Sequence, residues 1–125
     1  MSADLKFAKT HEWIRPEADG LATVGVSSYA VEALTDLVFM QLPPVGKKVK
    51  AGESIGEIES VKAVSDLYAP VSGEIVEVNT ALPSQLETLG KDPYGAGWIV
   101  RIRPDAPSEL GNLMDQSAYE ALVKS

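Results

Sequence analysis

Short apolar runs separated by turn residues fill the middle of the chain. Each run has six or seven residues rich in Val, Ile and aromatic side chains, and Gly or Pro bounds most of them. In the last run Trp98, Val100 and Ile102 share one face of a strand, and the arginines between them share the other. Short strands at this spacing are typical of a small antiparallel sandwich or barrel. The pattern predicts strands at 21–26, 37–42, 54–60, 64–69, 74–79 and 98–103.

Two segments show the apolar spacing of a helix. Ser27 and Ser28 can cap a helix over YAVEALTD, which makes 28–35 a helical segment, and Asp115 can cap QSAYEALVKS at 116–125. A mainly β chain with a short internal helix and a C-terminal helix is therefore expected.

Three further predictions complete the outline. Residues 107–114 are predicted to form a helical turn, and residues 81–97 to form a long loop that could include another helical turn. Gly46, Gly52 and Gly73 are interpreted as structural, because turns need positive φ or close backbone approach. Nothing between the runs has the composition of a linker, so one domain is expected over 1–125.

A single lysine, Lys62, lies between two of the predicted strands, in the stretch Glu59-Ser-Val-Lys-Ala63. This stretch has no Gly or Pro to make the bend. Most exposed lysines are simply solvated. A protruding turn held by strands on both sides, however, presents its amine to a modifying enzyme, and the small neighbours Ser60 and Ala63 leave that amine accessible. Lys62 is therefore a candidate attachment point.

Composition removes several classes of function. The net charge of −7 argues against binding to nucleic acid or to anionic membrane surfaces, and no apolar run reaches the length of a membrane helix. The chain has no cysteine and one histidine, His11, so thiolate catalysis, zinc–thiolate sites and a histidine-based triad are not expected. No glycine-rich phosphate motif is present. Redox or acyl-transfer chemistry would have to be carried by an attached group.

The segment ESVKAVSDLYAPVSGEIVEVN around Lys62 is similar to the lipoyl-lysine region of the glycine cleavage system H-protein family. Five further segments resemble that family in order, and the resemblance covers about residues 5–123. These segments are HEWIR, ATVGVSSYA, LVFMQLPPVGKKVKAGE, DPYGAGWIVRIRP and SELGNLM.

The resemblance implies a fold and a function. The fold would be a barrel-sandwich hybrid, as in lipoyl and biotinyl carrier domains, and Lys62 would carry lipoate in amide linkage. The chain would be a carrier without a reaction of its own. It would take an aminomethyl group from the pyridoxal-phosphate-dependent glycine decarboxylase (P-protein) to the tetrahydrofolate-dependent aminomethyltransferase (T-protein). Dihydrolipoamide dehydrogenase (L-protein) would then reoxidise the arm.

The resemblance also suggests site residues. Glu12 of HEWIR would lie near a cleft that holds the loaded arm, although a surface glutamate on a strand is the ordinary interpretation of such a residue. Trp13 is expected to anchor the core, and His11 to support local hydrogen bonds. Ala30 and Leu34 of the internal helix would form the other cleft wall. Some family members carry a histidine on that helix, whereas this chain has Glu32-Ala33-Leu34.

The polar residues around Lys62 have two interpretations of equal weight. Glu59 and Ser65 are either turn-forming polar residues or determinants read by the lipoylating enzyme, a lipoate-protein ligase or an octanoyltransferase. Asp66 would add an acidic contact near the arm, and Ala63 would flank the attachment point.

Three alternative functions are considered. A biotin carrier usually has methionines beside its lysine, whereas Val61 and Ala63 stand here. A lipoyl domain of a 2-oxoacid dehydrogenase usually has Asp before the lysine and sits on flexible linkers. An H-like protein that mainly relays lipoyl groups to other enzymes is not excluded. A monomer in a bacterial cytoplasm is expected, or in the mitochondrial matrix if a transit peptide was removed.

Overall fold

The computed structural model describes residues 5–17, 19–34, 36–105, 109, 111 and 113–124. Within them the chain forms nine strands, three α-helices and one short 3-10 helix, at Leu82–Ser84. The helices are α1 Ser28–Leu34, α2 Glu87–Lys91 and α3 Gln116–Lys124. The strands are β1 Lys6–Phe7, β2 Glu12–Pro16, β3 Ala22–Val26, β4 Leu37–Gln41, β5 Lys48–Val49, β6 Ser54–Ser60, β7 Val64–Tyr68, β8 Gly73–Val78 and β9 Val100–Pro104.

The strands form two antiparallel sheets. The larger sheet has the order β1-β2-β3-β9-β8-β5, and the smaller sheet has the order β4-β6-β7. Both sheets contribute to one apolar core, in which Ile14, Val24 and Ile102 of the larger sheet meet Met40 and Ile58 of the smaller. The mainly β prediction is therefore confirmed, with a short internal helix and a C-terminal helix.

A second, smaller core covers the outer side of β2. Leu5, Phe7, Trp13 and Tyr119 are buried together, and the rings of Phe7 and Tyr119 stack with centroids 4.4 Å apart. The C-terminal helix thereby packs on the larger sheet. Trp13 is fully buried and its Nε1 donates to the carbonyl oxygen of Pro93 at 3.0 Å, which confirms its predicted anchoring role.

Several elements of the structure differ from those predicted. The six predicted strands correspond to β3, β4, β6, β7, β8 and β9, but β1, β2 and β5 were not among them. The last strand begins at Val100, two residues later than predicted. Residues 81–97 were predicted as a long loop that could include one helical turn; they hold two helical segments, the 3-10 helix and α2, because Leu82 and Leu89 are buried in the main core. Four of the eight residues of the turn predicted at 107–114 lie outside the described residues.

The three glycines differ in what requires them. Gly46 and Gly52 have φ of +94° and +87°, which side-chain-bearing residues rarely adopt. Gly73 instead lies against the backbone of β9, where an added Cβ would be 2.2 Å from the carbonyl oxygen of Arg103. All three are structural, as predicted. Among the described residues, no helix combines the length and the apolarity that crossing a bilayer requires.

Candidate functional site

The Lys62 turn is held by the side chain of Ser60. The Ser60 hydroxyl oxygen accepts hydrogen bonds from the backbone amides of Lys62, at 3.3 Å, and Ala63, at 3.1 Å. The Ser60 amide donates to the Ala63 carbonyl oxygen at 2.8 Å, and the Val61 amide donates to that of Asp36 at 3.1 Å. Within the described part of the chain, His11 is the only non-glycine residue with positive φ. The bend needs no Gly because a buried serine satisfies its amides.

The turn presents Lys62 to solvent. The strands on both sides are paired up to the register Glu59 opposite Val64, so only residues 61–63 project beyond the sheet. Lys62 is exposed, and among the described residues its side chain makes no ion pair. The backbone position is fixed while the amine stays accessible.

A cleft of about 140 Å³ lies between α1, the beginning of β2 and the smaller sheet. Its walls are apolar along α1 and β6 and polar at the two strand ends. The lining residues are Thr10, His11, Glu12, Val26, Tyr29, Ala30, Ala33, Leu34, Ile58, Ser65, Asp66 and Leu67.

Glu12 is the buried carboxyl group of this cleft. Its side chain is 2% exposed, so the interpretation as a surface glutamate is wrong. One carboxyl oxygen accepts from the Thr10 hydroxyl, and the other accepts from the Tyr68 amide at 3.0 Å. Burial raises the pKa of Glu12 to about 7, and these hydrogen bonds only partly oppose the rise. No ion pair of the described residues includes Glu12, so its charge has no internal cation.

A hydrogen-bonded group supports the cleft from behind. The phenol oxygen of Tyr119 lies 2.7 Å from Nδ1 of His11 and 2.6 Å from the Ser27 hydroxyl. The Ser27 hydroxyl also accepts from the Ala30 amide at 3.2 Å, at the beginning of α1. His11 therefore has the predicted local hydrogen bond, and burial lowers its pKa. The sequence carried no sign of Tyr119 or Ser27 in this role, because the contact joins residues 92 or more positions apart.

The structure separates the predicted site residues into two groups. Glu12, Ala30, Leu34, Ser65 and Asp66 are brought together in the lining of the cleft. The others, Glu59, Lys62 and Ala63, lie on the hairpin and are not among the lining residues. Their functional roles stay predictions.

Sequence reasoning missed several residues of the cleft lining, among them Thr10, Tyr29 and Ala33. Thr10 bonds Glu12, while Tyr29 and Ala33 extend the wall formed by α1. A signal for two of them was available, because Tyr29 and Ala33 are four residues apart on the predicted helix and share a face with Ala30. Thr10 precedes the strand and had no comparable signal.

The chain is similar to glycine cleavage H proteins along nearly all of its length. The family described as Glycine cleavage H-protein matches residues 5–125. A glycine cleavage system H protein of Idiomarina loihiensis is 54% identical over 121 residues, which are 97% of this chain and 94% of that protein. One from Escherichia coli is 54% identical over 122 residues, covering 98% of this chain and 95% of its own.

A solved structure agrees with these relatives. The crystal structure of a glycine cleavage system H protein from Mycobacterium marinum superposes with a TM-score of 0.89 at 51% identity and covers 98% of each chain. This similarity confirms the predicted barrel-sandwich hybrid fold. Sequence and structure agree over the same residues, and the chain belongs to the glycine cleavage H-protein family.

Proposed function

We propose that this chain is a lipoylated carrier of the glycine cleavage system, with lipoate in amide linkage to Nζ of Lys62. The observation that supports this most directly is the pairing of an exposed amine on a fixed turn with a neighbouring cleft that contains a buried, uncompensated carboxyl group. Members of this family are carrier subunits and not catalysts, and the family is the lipoyl-bearing component of the system.

The residues present fit such a cofactor. An attachment residue has to reach the active site of a modifying enzyme, and Lys62 does so because residues 61–63 project beyond the paired strands. The turn also has to keep its shape after modification, when the lysine charge is lost. Its hydrogen bonds run through Ser60 and the backbone, so they do not depend on that charge. Lys62 is thus an attachment point whose surroundings tolerate acylation.

When attached, lipoate supplies the sulfur atoms and the two-electron redox capacity that a chain without cysteine lacks. Glu12 supplies a carboxylate inside the cleft. Its carboxylate attracts a cationic amine that enters the cleft, and such a cation in turn favours loss of the carboxyl proton. Thr10 and Tyr68 hold both carboxyl oxygens in place, so the carboxylate is oriented before any cation arrives. Ala30 and Leu34 limit the access of water from the α1 side.

The proposed partners follow from the family. They are the P-, T- and L-proteins, which would act in turn on the arm, and a lipoate-protein ligase or octanoyltransferase, which would acylate Lys62. A tether keeps the cargo at high local concentration between these encounters. A monomer in the bacterial cytoplasm completes the proposal, in line with the bacterial relatives.

The experiment that tests attachment is an intact mass after incubation with lipoate, ATP and a lipoate-protein ligase. Wild type should gain one lipoyl group, Lys62→Arg should gain none, and the exposed Lys50→Arg should behave as wild type. Lys50 is a matched control because it lies in the turn at the opposite end of β6. An unmodified wild type, or a gain that persists in Lys62→Arg, would contradict the proposal. A biotin-sized gain in cells would assign the chain to the biotin class.

A further inference from the structure

One side chain behind the cleft, Tyr119, contacts both of its walls. The phenol oxygen lies 2.7 Å from Nδ1 of His11, whose ring lines the cleft, and 2.6 Å from the hydroxyl of Ser27, directly before α1. Tyr119 itself is buried and is not among the lining residues. It therefore acts on the contents of the cleft only through the residues that it holds.

Position 11 has a histidine in a backbone conformation that favours glycine. His11 has φ of +80°, which is costly for a residue with a side chain. Two hydrogen bonds of 2.9 Å hold this conformation: the His11 amide donates to the Ala8 carbonyl oxygen, and the His11 carbonyl oxygen accepts from the Ser27 amide. A strained residue on the wall of a cleft indicates that its ring has a function.

The hydrogen bonds of Ser27, Tyr119 and His11 have one direction that satisfies all three side chains. The Ser27 hydroxyl accepts from the Ala30 amide at 3.2 Å, and within the described residues its only other partner is the Tyr119 oxygen. Because Ser27 is fully buried and a buried donor without an acceptor is costly, its proton goes to Tyr119. The proton of Tyr119 then goes to Nδ1 of His11. Burial raises the pKa of Tyr119, so the phenol keeps this proton at neutral pH.

This direction fixes the tautomer of His11. A neutral imidazole whose Nδ1 accepts a hydrogen bond carries its proton on Nε2. Burial lowers the pKa of His11, although two carboxyl groups of the cleft lining, Glu12 and Asp66, would favour the charged ring when ionised. The phenols of Tyr29, on α1, and Tyr119, on α3, also face the ring. Nε2 is therefore a donor, with no electron pair to accept a proton.

That electron pair matters for an amine carried in the cleft. An aminomethyl thioether, R–S–CH2–NH3+, is stable while its nitrogen stays protonated. After loss of one proton to a base, the nitrogen electron pair expels the sulfur as a thiolate, and water converts the remaining CH2=NH2+ to formaldehyde and ammonium. Histidine is the side chain that most often serves as a base at neutral pH, and it does so through an unprotonated ring nitrogen.

We propose that Tyr119 is a positioning residue that protects an aminomethyl cargo, because it holds His11 as the Nε2–H tautomer and so prevents the chain's single imidazole from acting as a base in the cleft. This inference rests on the proposed function and adds a residue outside the cleft lining to it. Glu12 would keep the amine charged, and Tyr119 would prevent His11 from removing its proton. The C-terminal helix thereby contributes to the chemistry of the cleft.

The first test determines the tautomer on the unmodified chain. Because His11 is the single histidine, its ring nitrogens are identified without ambiguity in long-range proton–nitrogen NMR spectra. At about pH 8, wild type should have Nε2 protonated and Nδ1 unprotonated. Tyr119→Phe should show both tautomers, because no donor then fixes Nδ1. A wild-type ring protonated on Nδ1, which is decisive even if the variant folds poorly, or equal tautomer populations in the two chains would overturn the proposal. Neither result depends on attachment to Lys62.

The second test measures the loss of an amine cargo. Lipoylated chains are loaded from glycine by a glycine decarboxylase, separated from it and followed by intact mass. Tyr119→Phe should lose its cargo about 10-fold faster than wild type. This excess should grow as pH rises through the titration of His11, because only the neutral ring is a base. In a His11→Asn background, in which Asn suits the positive φ, Tyr119→Phe should change the rate by less than about 2-fold.

Tyr94→Phe is the matched control for packing. The Tyr94 hydroxyl accepts from the Ser28 amide at 3.0 Å, at the beginning of α1, and its ring contacts Phe7, as the Tyr119 ring does. Tyr94→Phe therefore disturbs the same aromatic core and should leave the His11 tautomer unchanged. An unchanged rate of cargo loss in Tyr119→Phe would overturn the proposal. An acceleration that persists in the His11→Asn background, or that Tyr94→Phe matches, would also overturn it by showing that Tyr119 only supports the fold.

Discussion

The phenol oxygen of Tyr119, on the C-terminal helix, lies 2.7 Å from Nδ1 of His11, on the wall of the cleft. The same oxygen lies 2.6 Å from the hydroxyl of the fully buried Ser27. This hydroxyl also accepts a hydrogen bond from the Ala30 amide at the beginning of α1. If Ser27 donates to Tyr119 and Tyr119 donates to His11, each group is satisfied with His11 neutral, in agreement with its lowered pKa. One hydroxyl thus links α3 to both sides of the cleft.

Tyr119→Phe should lower the free energy of unfolding by about 2 kcal/mol, because it removes two hydrogen bonds, one of them to the buried Ser27 hydroxyl. The stacking on Phe7 would remain, so the loss reports the hydroxyl and not the ring. Urea unfolding measures it. Tyr29→Phe is the control, because this exposed tyrosine should change stability by less than about 0.5 kcal/mol. Equal losses in the two variants would show that the Tyr119 hydroxyl has no special role.

Ser60→Ala should loosen the lysine turn without unfolding the hairpin. The amides of Lys62 and Ala63 lose their acceptor, whereas the bond from the Ser60 amide to the Ala63 carbonyl remains. We expect faster hydrogen exchange at those two amides and a loss of about 1 kcal/mol in the free energy of unfolding. Amide exchange followed by NMR is the measurement. Ser65→Ala is the matched control on the same hairpin, and unchanged exchange at Lys62 in Ser60→Ala would disprove this account of the bend.

Gly73→Ala should destabilise the chain more than Gly46→Ala. At Gly73 the new Cβ would meet the backbone of Arg103 at 2.2 Å, and two paired strands would have to separate, which costs about 3 kcal/mol. At Gly46 an added Cβ would meet nothing within 4 Å beyond the adjoining residues, so only the positive φ of +94° opposes the change, at about 1 kcal/mol. Thermal unfolding of both variants tests the order, and a larger loss at Gly46 would contradict it.

Local sequence pattern predicted six of the nine described strands, and it missed elements whose burial is decided by distant segments. β9 was predictable because Val100 and Ile102 alternate with arginines. β2 was not, because Glu12, Trp13 and Ile14 are all buried: α3 and the smaller core cover its outer side, which no local pattern shows. In the 81–97 region the buried Leu82 and Leu89 stand among Pro and Gly residues that obscure helical spacing.

The site divides in the same way. Lys62 was identifiable because a hairpin tip with small neighbours is a local feature. The family resemblance supplied Glu12, but two of its properties depend on distant segments: the burial that raises its pKa, and the hydrogen bond that it accepts from the amide of Tyr68, 56 residues away. Contacts of that range are properties of the fold and not of any one segment.

The titration of Glu12 should make the chain less stable as pH rises. Its pKa is about 7 in the folded state against an ordinary value of 4.5, so between these values the folded chain holds a proton that the unfolded chain has released. The free energy of unfolding should therefore fall from pH 4.5 to about pH 7, by about 3 kcal/mol from this one group. Urea unfolding at pH 5 and pH 8 measures the change.

Glu12→Gln provides the comparison, because glutamine has the shape of the protonated acid and cannot ionise. Subtracting the free energy of unfolding of the variant from that of wild type cancels the contribution of the other titrating groups. Wild type should lose more stability than Glu12→Gln between the two pH values, and the variant should be the more stable at pH 8. Parallel pH profiles in the two chains would show that Glu12 titrates near its ordinary pKa.

Glu12→Gln should also separate attachment at Lys62 from binding of a cation in the cleft. The side chain lies in the cleft lining and not on the hairpin, so the rate of acylation of Lys62 should stay at the wild-type value. Shielding of an amine carried on the arm should weaken, because a neutral amide attracts a cation far less than a buried carboxylate does. We expect the amine-loaded chain to lose its cargo to water about 10-fold faster in the variant, measured by intact mass over time.

The control is Asp92→Asn, which removes an exposed carboxylate in the turn after α2 and should match wild type. A variant that keeps its cargo but is acylated slowly would place Glu12 in recognition of the lysine turn and not in the cleft.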